Sequence, residues 1–134
     1  MIKYIINNNH GSLVFDIKTI QYKYSNTHYL KQICTKYLKT LEGYQKSVSK
    51  ILSIHKMIPL VLSNEHIYFH TKSLKSFDNI WINYNAISNV VSHNKDIKVS
   101  FYDGSSIELN ISYDCYLNII KKINVIKNYL YNLI

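Results

Sequence analysis

Hydrophobic and polar residues alternate most regularly between residues 97 and 111, in two runs that a short polar stretch separates. The alternating apolar positions are Ile97, Val99 and Phe101 in the first run and Ile107, Leu109 and Ile111 in the second. A period of two residues is typical of strands with one buried face. The two runs therefore predict an antiparallel β-hairpin.

The length of the loop decides which side chains of this hairpin share a face. A two-residue turn would place Val99 opposite Glu108, so that the two apolar faces point in opposite directions. A three-residue loop over residues 102–104 places Val99 opposite Ile107 and keeps one face apolar. It also puts Gly104 at the last loop position, where the backbone needs a positive φ. We therefore predict the three-residue loop.

Shorter apolar or alternating runs upstream predict further strands. The predicted strands cover residues 2–6, 13–15, 20–24, 47–54, 60–62, 67–70, 79–84 and 87–91, with a bend at Pro59.

Two other stretches repeat their apolar residues with the period of an α-helix. The first covers residues 28–41, with Ser25 or Thr27 as the N-cap and Gly43 as the glycine that ends it. The second begins near Asp114, with Asp114 or Ser112 as the N-cap. The apolar face of this terminal helix contains Tyr116, Ile119, Ile120, Ile123, Ile126, Leu130 and Leu133.

These elements predict an α+β fold in a single domain over residues 1–134, a length that suits one hydrophobic core. We expect a mainly antiparallel, strongly bent sheet or partial barrel that the C-terminal amphipathic helix closes. A final hairpin running into such a helix is also similar in shape to pleckstrin-homology-like barrels. Shape alone does not determine function.

The composition predicts a soluble, cytoplasmic protein with no membrane partner. The longest purely apolar run, residues 58–62, is far shorter than the ~20 residues that span a bilayer. Residues 2–6 are too short for the apolar part of a secretory leader. Cys34 and Cys115 are too few for a disulfide framework and fit free thiols in a reducing compartment.

The formal net charge of +8 is distributed unevenly. Between residues 17 and 64 Glu42 is the one acidic residue, against eight lysines at positions 18, 23, 31, 36, 39, 46, 50 and 56. Such an imbalance favours a polyanionic partner, with nucleic acid as the first candidate. The chain is also rich in Ile, Asn, Lys and Tyr and contains no arginine, which an AT-rich genome alone would produce. Charge by itself leaves both interpretations open.

The residues with catalytic or metal-binding chemistry do not form a recognisable motif, and we expect no enzyme, no cofactor and no metal. The sequence has no phosphate-binding loop, no Gly-x-Ser-x-Gly and no His-Glu-x-x-His. His66 and His70 would share one strand face, and surface histidines are favoured over a zinc site because no Cys-x-x-Cys unit accompanies them. We expect Cys34 to pack as a small hydrophobe and Trp81 to anchor the core.

The best functional candidate is the segment over residues 43–50. It combines a glycine, an aromatic ring, an amide and two ammonium groups. Tyr44 and Gln45 suit contacts with bases, and Lys46 and Lys50 suit contacts with phosphates. The alternative is a solvated loop between a helix and a strand.

The order of several motifs resembles the competence transcription factor family, the ComK-type regulators of Gram-positive bacteria. The motifs are Lys50-Ile51, His55-Lys56 with Pro59, Phe69-His70-Thr71-x-Ser73, Trp81-Ile82-Asn83, Val99-x-Phe101-x-x-Gly104 and Ile107-Glu108-Leu109-Asn110-Ile111-Ser112-Tyr113. The resemblance is good over about residues 50–116 and weak over residues 28–49. There, Cys34, Gly43 and Lys46 match the family's Cys…Gly-Arg-Lys region only with gaps.

This resemblance implies a non-enzymatic, DNA-binding transcriptional regulator that contacts AT-rich promoter DNA from the minor-groove side. At the position of the family's arginine this chain has Gln45 or Lys46, and lysine enters a narrow A·T minor groove less favourably than arginine does. The residues expected to contact double-stranded DNA are Lys36, Lys39, Tyr44, Gln45, Lys46, Lys50, His55, Lys56 and Lys72.

The resemblance also implies a dimer or a higher oligomer. Later turns of the terminal helix would run past the sheet and leave Leu130, Leu133 and Ile134 for a partner, either a second copy or a related regulator. Family members usually carry a longer C-terminal tail. Activation or control that depends on this tail is therefore not carried over to this chain. Whether the protein is an activator or an antagonist stays open. The alternative function is a pleckstrin-homology-like module that binds a protein or an anionic surface, for which an apolar strand–helix groove is expected.

Overall fold

Nine strands and three α-helices form the fold of residues 1–133, which are the residues that the computed structural model describes. Their order is β1 (Tyr4–Asn8), β2 (Gly11–Phe15), β3 (Thr19–Tyr22), α1 (Asn26–Lys36), α2 (Leu41–Leu52), β4 (Leu60–Ser63), β5 (His66–His70), β6 (Ile80–Asn83), β7 (Ile87–His93), β8 (Asp96–Phe101), β9 (Ser106–Leu109) and α3 (Tyr113–Tyr131). A 3-10 turn, Tyr84–Ala86, joins β6 to β7.

The strands form two antiparallel sheets. The larger sheet has six strands in the order β3-β2-β1-β6-β5-β4, and the smaller has three in the order β7-β8-β9. The α+β class, the antiparallel pairing and the C-terminal helix are therefore confirmed. Where one strongly bent sheet or partial barrel was expected, the strands of residues 1–133 divide into two antiparallel sheets and form no closed barrel.

The inner strands of the six-stranded sheet carry buried residues on both faces, and the alternation along β1 and β6 shows how. Ile5 pairs with Trp81, and both pack with Leu30 and Cys34 of α1 on one face. Ile82 follows Trp81 in β6 and belongs to the core on the opposite face, where β8, β9 and α3 pack. Cys34 and Trp81 are fully buried, so the predictions that Cys34 packs as a hydrophobe and that Trp81 anchors the core are confirmed.

The hairpin of β8 and β9 has the predicted register. Val99 lies opposite Ile107, and the amide of Phe101 donates to the carbonyl of Ser105. Gly104 adopts φ +88° at the last position of the three-residue loop. The apolar face of β8 is buried against the core, which confirms a hairpin with one buried face.

The terminal helix α3 begins after Ser112, whose hydroxyl accepts a hydrogen bond from the amide of Cys115 at 3.1 Å. The buried residues of the helix are Tyr116, Ile119, Ile123 and Ile126. Beyond them the apolar stripe reaches solvent, and Leu130 and Leu133 are 37% and 63% exposed. The third residue expected in an oligomer contact, Ile134, lies outside the described residues.

The predicted helix over residues 28–41 is wrong at its C-terminal end, because α1 stops at Lys36. Leu38 adopts a left-handed backbone with φ 62°, and the amides of Leu38 and Lys39 donate to the carbonyls of Thr35 and Cys34. This is a Schellman ending with leucine where glycine is usual. A left-handed leucine costs about 1–2 kcal/mol, and the sequence alone gave no reason to expect one.

The predicted strand over residues 47–54 is also wrong, because these residues belong mostly to α2. Thr40 caps the helix by accepting from the amide of Gly43 at 3.0 Å. Gly43 therefore lies in the first turn and does not end a helix. A β-carbon at this position would lie 2.8 Å from the Thr40 hydroxyl, so a larger residue would require a small shift of the cap. The other seven predicted strands overlap strands of the structure.

Candidate nucleic-acid interface

Helix α2 exposes one polar side whose residues recur at helical spacing. These residues are Glu42, Gln45, Lys46, Ser49 and Lys50. They lie at i, i+3, i+4, i+7 and i+8, which places them on one side of the helix. Gln45, Lys46 and Lys50 of the predicted segment thus share a surface because they are helical, whereas successive side chains of a strand would have pointed to opposite faces.

The inner side of α2 is held in place by Tyr44. Its hydroxyl donates to the carbonyl of Pro59 at 2.7 Å and accepts from the amide of Val61 at 2.9 Å. Burial raises the pKa of Tyr44 to about 12. Because both hydrogen bonds run to the segment that enters β4, Tyr44 fixes the orientation of the helix and is turned away from the polar side.

The polar side of α2 forms one wall of a long surface depression that we call the basic trough. Its first part, about 530 Å³, lies between α2 and residues 55–58, with His70 in its lining. The middle part, about 390 Å³, lies between the first halves of α1 and α2. The far part, about 540 Å³, adjoins the β1–β2 turn. Leu74 borders all three depressions, which therefore adjoin one another, and the name basic trough covers them together.

The charge of the basic trough is strongly unbalanced. The lysines that line it are Lys23, Lys31, Lys46, Lys50 and Lys75. Among the described lining residues Glu42 is the one carboxylate, and it is paired with the ammonium of Lys31 at 2.7 Å. That hydrogen bond lowers the pKa of Glu42 and keeps the pair ionised. The remaining four ammonium groups give the trough a net attraction for anions.

The wall opposite α2 is the β5–β6 loop, residues 71–79, and asparagines hold it firmly. The Asn79 side-chain oxygen accepts from the amides of Thr71 and Lys72 at 3.1 and 3.0 Å. The Asn26 side-chain amide donates to the Asn79 carbonyl at 2.6 Å. This loop is therefore fixed to α1 and presents its side chains at defined positions.

His70 forms part of the floor at one end of the basic trough. It is only 6% exposed, its ring lies 4.8 Å from that of Trp81, and its Nδ1 donates to the Lys72 carbonyl at 2.7 Å. Burial lowers the pKa of His70 and favours the neutral ring. The expectation of a surface histidine is therefore wrong for His70, whereas His66 is exposed as predicted. Residues 1–133 contain no group of three or more His, Cys, Asp or Glu positioned to hold a metal.

The structure brings together four of the nine residues expected to contact DNA. Gln45, Lys46, Lys50 and His55 line the same part of the trough, and the His55 ring is hydrogen-bonded to the Ser49 hydroxyl. Each of the other five lies outside the lining of the trough. They are Lys36, Lys39, Tyr44, Lys56 and Lys72.

Those five residues differ in their surroundings. Lys36 is exposed at the end of α1, and the Lys39 ammonium lies 5.8 Å from the centre of the Tyr44 ring. Lys56 is exposed, and its carbonyl accepts from the Lys122 ammonium at 2.6 Å. Lys72 is half-buried and its ammonium donates to the Asn110 carbonyl at 3.3 Å. Lys56 and Lys72 follow closely in the chain after His55 and His70, which do line the first part of the trough.

Three lysines of the basic trough were missing from the expected set. Lys23 follows β3, Lys31 lies on α1 and Lys75 lies in the β5–β6 loop. The lysine excess between residues 17 and 64 includes Lys23 and Lys31, so it pointed to them without placing them. No sequence signal pointed to Lys75, because only the docking of the loop onto α1 brings it to the trough.

The opposite side of α2 borders a small apolar depression of about 100 Å³, which we call the apolar groove. Val48, Ile51 and Leu52 of α2 face Ile126 and Leu130 of α3 across it. Ile51 is 53% exposed and Leu130 is 37% exposed. This groove lies between two helices, and not between a strand and a helix as the pleckstrin-homology-like alternative requires.

These features define the class of the protein as an α+β domain with a lysine-lined surface depression, a charge pattern that attracts anions. The family model described as ComK protein matches residues 3–131 of the 134-residue chain, so the chain belongs to the ComK family. The match confirms the resemblance seen in the motifs. ComK-family proteins are DNA-binding regulators of competence transcription and are not enzymes.

No curated protein and no solved structure matches the chain. Within residues 1–133, no helix has the length and apolar character needed to cross a membrane.

Proposed function

We propose that this protein is a cytoplasmic regulator of competence transcription that binds AT-rich promoter DNA through the basic trough. The observation that carries the proposal is the convergence of five lysines from four parts of the chain on one trough, with one paired carboxylate in its lining. Family membership supports promoter DNA as the polyanion.

Different side chains of the lining are suited to different parts of the DNA. The ammonium groups of Lys46 and Lys50 bind phosphates, which position the duplex without reading its sequence. Gln45 lies beside them on the same side of α2, and its amide both donates to and accepts from base edges. Because lysine replaces the more easily desolvated arginine, we expect affinity to depend mainly on charge and to fall steeply with salt.

The test is equilibrium binding to AT-rich and GC-rich duplexes of equal length over a salt series. Four phosphate contacts, from the trough lysines that are not paired with Glu42, would give a slope of about −3.6 for log K against log salt. We expect tighter binding to the AT-rich duplex. A slope near zero, or no binding at about 50 mM salt, would show that the trough is not a DNA site. Equal affinity for both duplexes would contradict the AT preference alone.

We also infer that the protein acts as a homodimer or pairs with a related regulator through the end of α3. Leu130 lines the apolar groove together with the exposed Ile51 of α2, and Leu133, near the end of the chain, leaves further apolar surface exposed. A two-fold dimer would bury the same patch on both subunits. It would also bring two basic troughs into one assembly.

A further inference from the structure

The far part of the basic trough carries an exposed aromatic side chain between two lysines. Phe77 is 59% exposed, and Lys23, Tyr24 and Lys75 line the same part of the trough. Asp78 follows Phe77 in the chain but does not line this part. Single exposed apolar side chains are common on protein surfaces. What distinguishes Phe77 is its place in a positively charged trough.

The backbone holds Phe77 in this position. Its carbonyl accepts from the side-chain amide of Asn7 at 3.1 Å, which ties the tip of the β5–β6 loop to β1. Within the loop, the amide of Asn79 donates to the carbonyl of Ser76 at 3.1 Å. Asn79 is itself fully buried. An aromatic ring on a firmly held loop loses little conformational entropy when it contacts a partner.

Tyr24 provides a second ring on the other side of this part of the trough. It is 48% exposed, and its ring is 4.4 Å from that of His28 and 5.6 Å from the ammonium of Lys23. Two aromatic surfaces with two ammonium groups match the flat, apolar faces and the phosphates of a nucleic acid.

We propose that Phe77 is a DNA-contacting wedge that inserts at a base step of the bound duplex, while Lys23 and Lys75 bind the flanking phosphates. Apolar side chains that enter base steps partly unstack them and are flanked by basic residues that hold the backbone. The inference rests on the proposed function, since it needs a duplex in the trough. It adds a contact that lies far from α2 in sequence and that the family motifs do not contain.

The experiment uses an AT-rich duplex in which single adenines are replaced in turn by 2-aminopurine, whose fluorescence rises when it is unstacked. The unmodified protein should increase the fluorescence at one position in the site. Phe77→Ala should abolish that increase and weaken binding by about tenfold, the size typical of a base–aromatic contact. The salt dependence should stay unchanged, because no phosphate contact is removed.

Two further variants make the result specific. Tyr102→Ala removes an aromatic ring that is 76% exposed in the β8–β9 loop, and it should behave as the unmodified protein does. A Lys23→Ala/Lys75→Ala variant should reduce the magnitude of the salt slope by about 1.8. Thermal unfolding of each variant checks the fold, which the removal of an exposed ring should preserve.

The outcomes separate the two proposals. If the unmodified protein binds DNA and Phe77→Ala matches it in affinity and in 2-aminopurine fluorescence, the wedge is overturned and the proposed function stands. If the unmodified protein does not bind duplex DNA, the proposed function is overturned and the wedge with it.

Discussion

The two sides of α2 differ sharply in charge and polarity. One side presents Lys46 and Lys50 to the basic trough, and the other presents Val48 and Ile51 to the apolar groove. Both surfaces depend on the same twelve-residue helix. The comparison shows how a short amphipathic helix serves two proposed partners, DNA on one side and another protein subunit on the other.

The two surfaces also differ in how they are built. The basic trough draws its lysines from α1, α2 and two loops, so its charge depends on the tertiary fold. The apolar groove is made of residues that recur at helical spacing on α2 and α3. Substitutions on one side of α2 should therefore leave the function of the other side intact, and the following tests examine that independence.

The largest expected effect is a loss of DNA affinity when lysines on the trough side of α2 are removed. Lys46→Ala/Lys50→Ala removes two proposed phosphate contacts, which at about 0.1 M salt should weaken DNA binding by roughly 50-fold and reduce the salt slope by about 1.8. Fluorescence anisotropy with an AT-rich duplex measures both quantities.

Lys95→Ala/Lys98→Ala is the matched control for charge, because both lysines are exposed at the β7–β8 hairpin, away from the trough. It should change affinity much less. If the control variant loses as much affinity as the trough variant, the DNA lies on another face.

A smaller effect is expected on the groove side. Leu130→Ser/Leu133→Ser should weaken self-association by about tenfold or more, because each change removes apolar area from the proposed interface. Sedimentation equilibrium at micromolar concentrations would then give the 15.8 kDa monomer in place of a dimer.

Leu117→Ser changes a leucine on α3 that is 39% exposed, close to the 37% of Leu130, and it should leave the dimer intact. An unmodified protein that sediments as a monomer throughout the micromolar range would contradict the dimer.

The next prediction concerns the anchor that both surfaces share. Tyr44→Phe removes the hydroxyl that bonds Pro59 and Val61, and it leaves the Val61 amide without this partner. We expect the free energy of unfolding to fall by about 1–3 kcal/mol, from the cost of an unsatisfied, partly buried amide. Urea denaturation measures this loss. Stability equal to that of the unmodified protein would show that Tyr44 does not anchor α2.

The smallest expected effect is the contribution of His70, in the floor of the trough, to the pH dependence of stability. Burial lowers the pKa of His70 in the folded protein, whereas in the unfolded chain it is about 6.5. As the pH falls below about 6.5, the unfolded chain takes up a proton that the folded protein does not, so stability is lost by at most about 1.4 kcal/mol per pH unit.

His70→Asn keeps a donor for the Lys72 carbonyl and removes the titration. Urea denaturation at about pH 7.5 and pH 5.5 should therefore show a smaller loss of stability for this variant than for the unmodified protein. Equal losses would mean that His70 titrates normally in the folded state.

Local patterns of the sequence determined the β8–β9 hairpin and the terminal helix almost completely. In the hairpin, a period of two and a glycine at the positive-φ position leave one loop length that keeps Val99 and Ile107 on the same face. In α3 a capping serine and a 3.6-residue period are sufficient. Both elements depend on interactions between residues that are near each other in the chain.

The break between α1 and α2 could not be predicted from local sequence patterns. Helical spacing continues from Leu30 through Leu41, yet the chain turns at Leu38, in a conformation that costs leucine free energy. Packing offsets that cost, because Leu30 and Cys34 on one helix and Leu41 on the next all reach the core beside Trp81. Tertiary burial thus overrode the local preference at Leu38 and divided the predicted helix into two elements.

The family and its chemistry were visible in the order of motifs and in the excess of lysine. The shape of the candidate site was not, because Lys23, Lys46 and Lys75 are separated by more than twenty residues and meet only when the β5–β6 loop docks on α1. The spacing of residues that are near each other in the chain determines the secondary structure of a segment, because its hydrogen bonds and its apolar period are local. The placement of charges around a trough follows from long-range packing, which the tertiary structure alone decides.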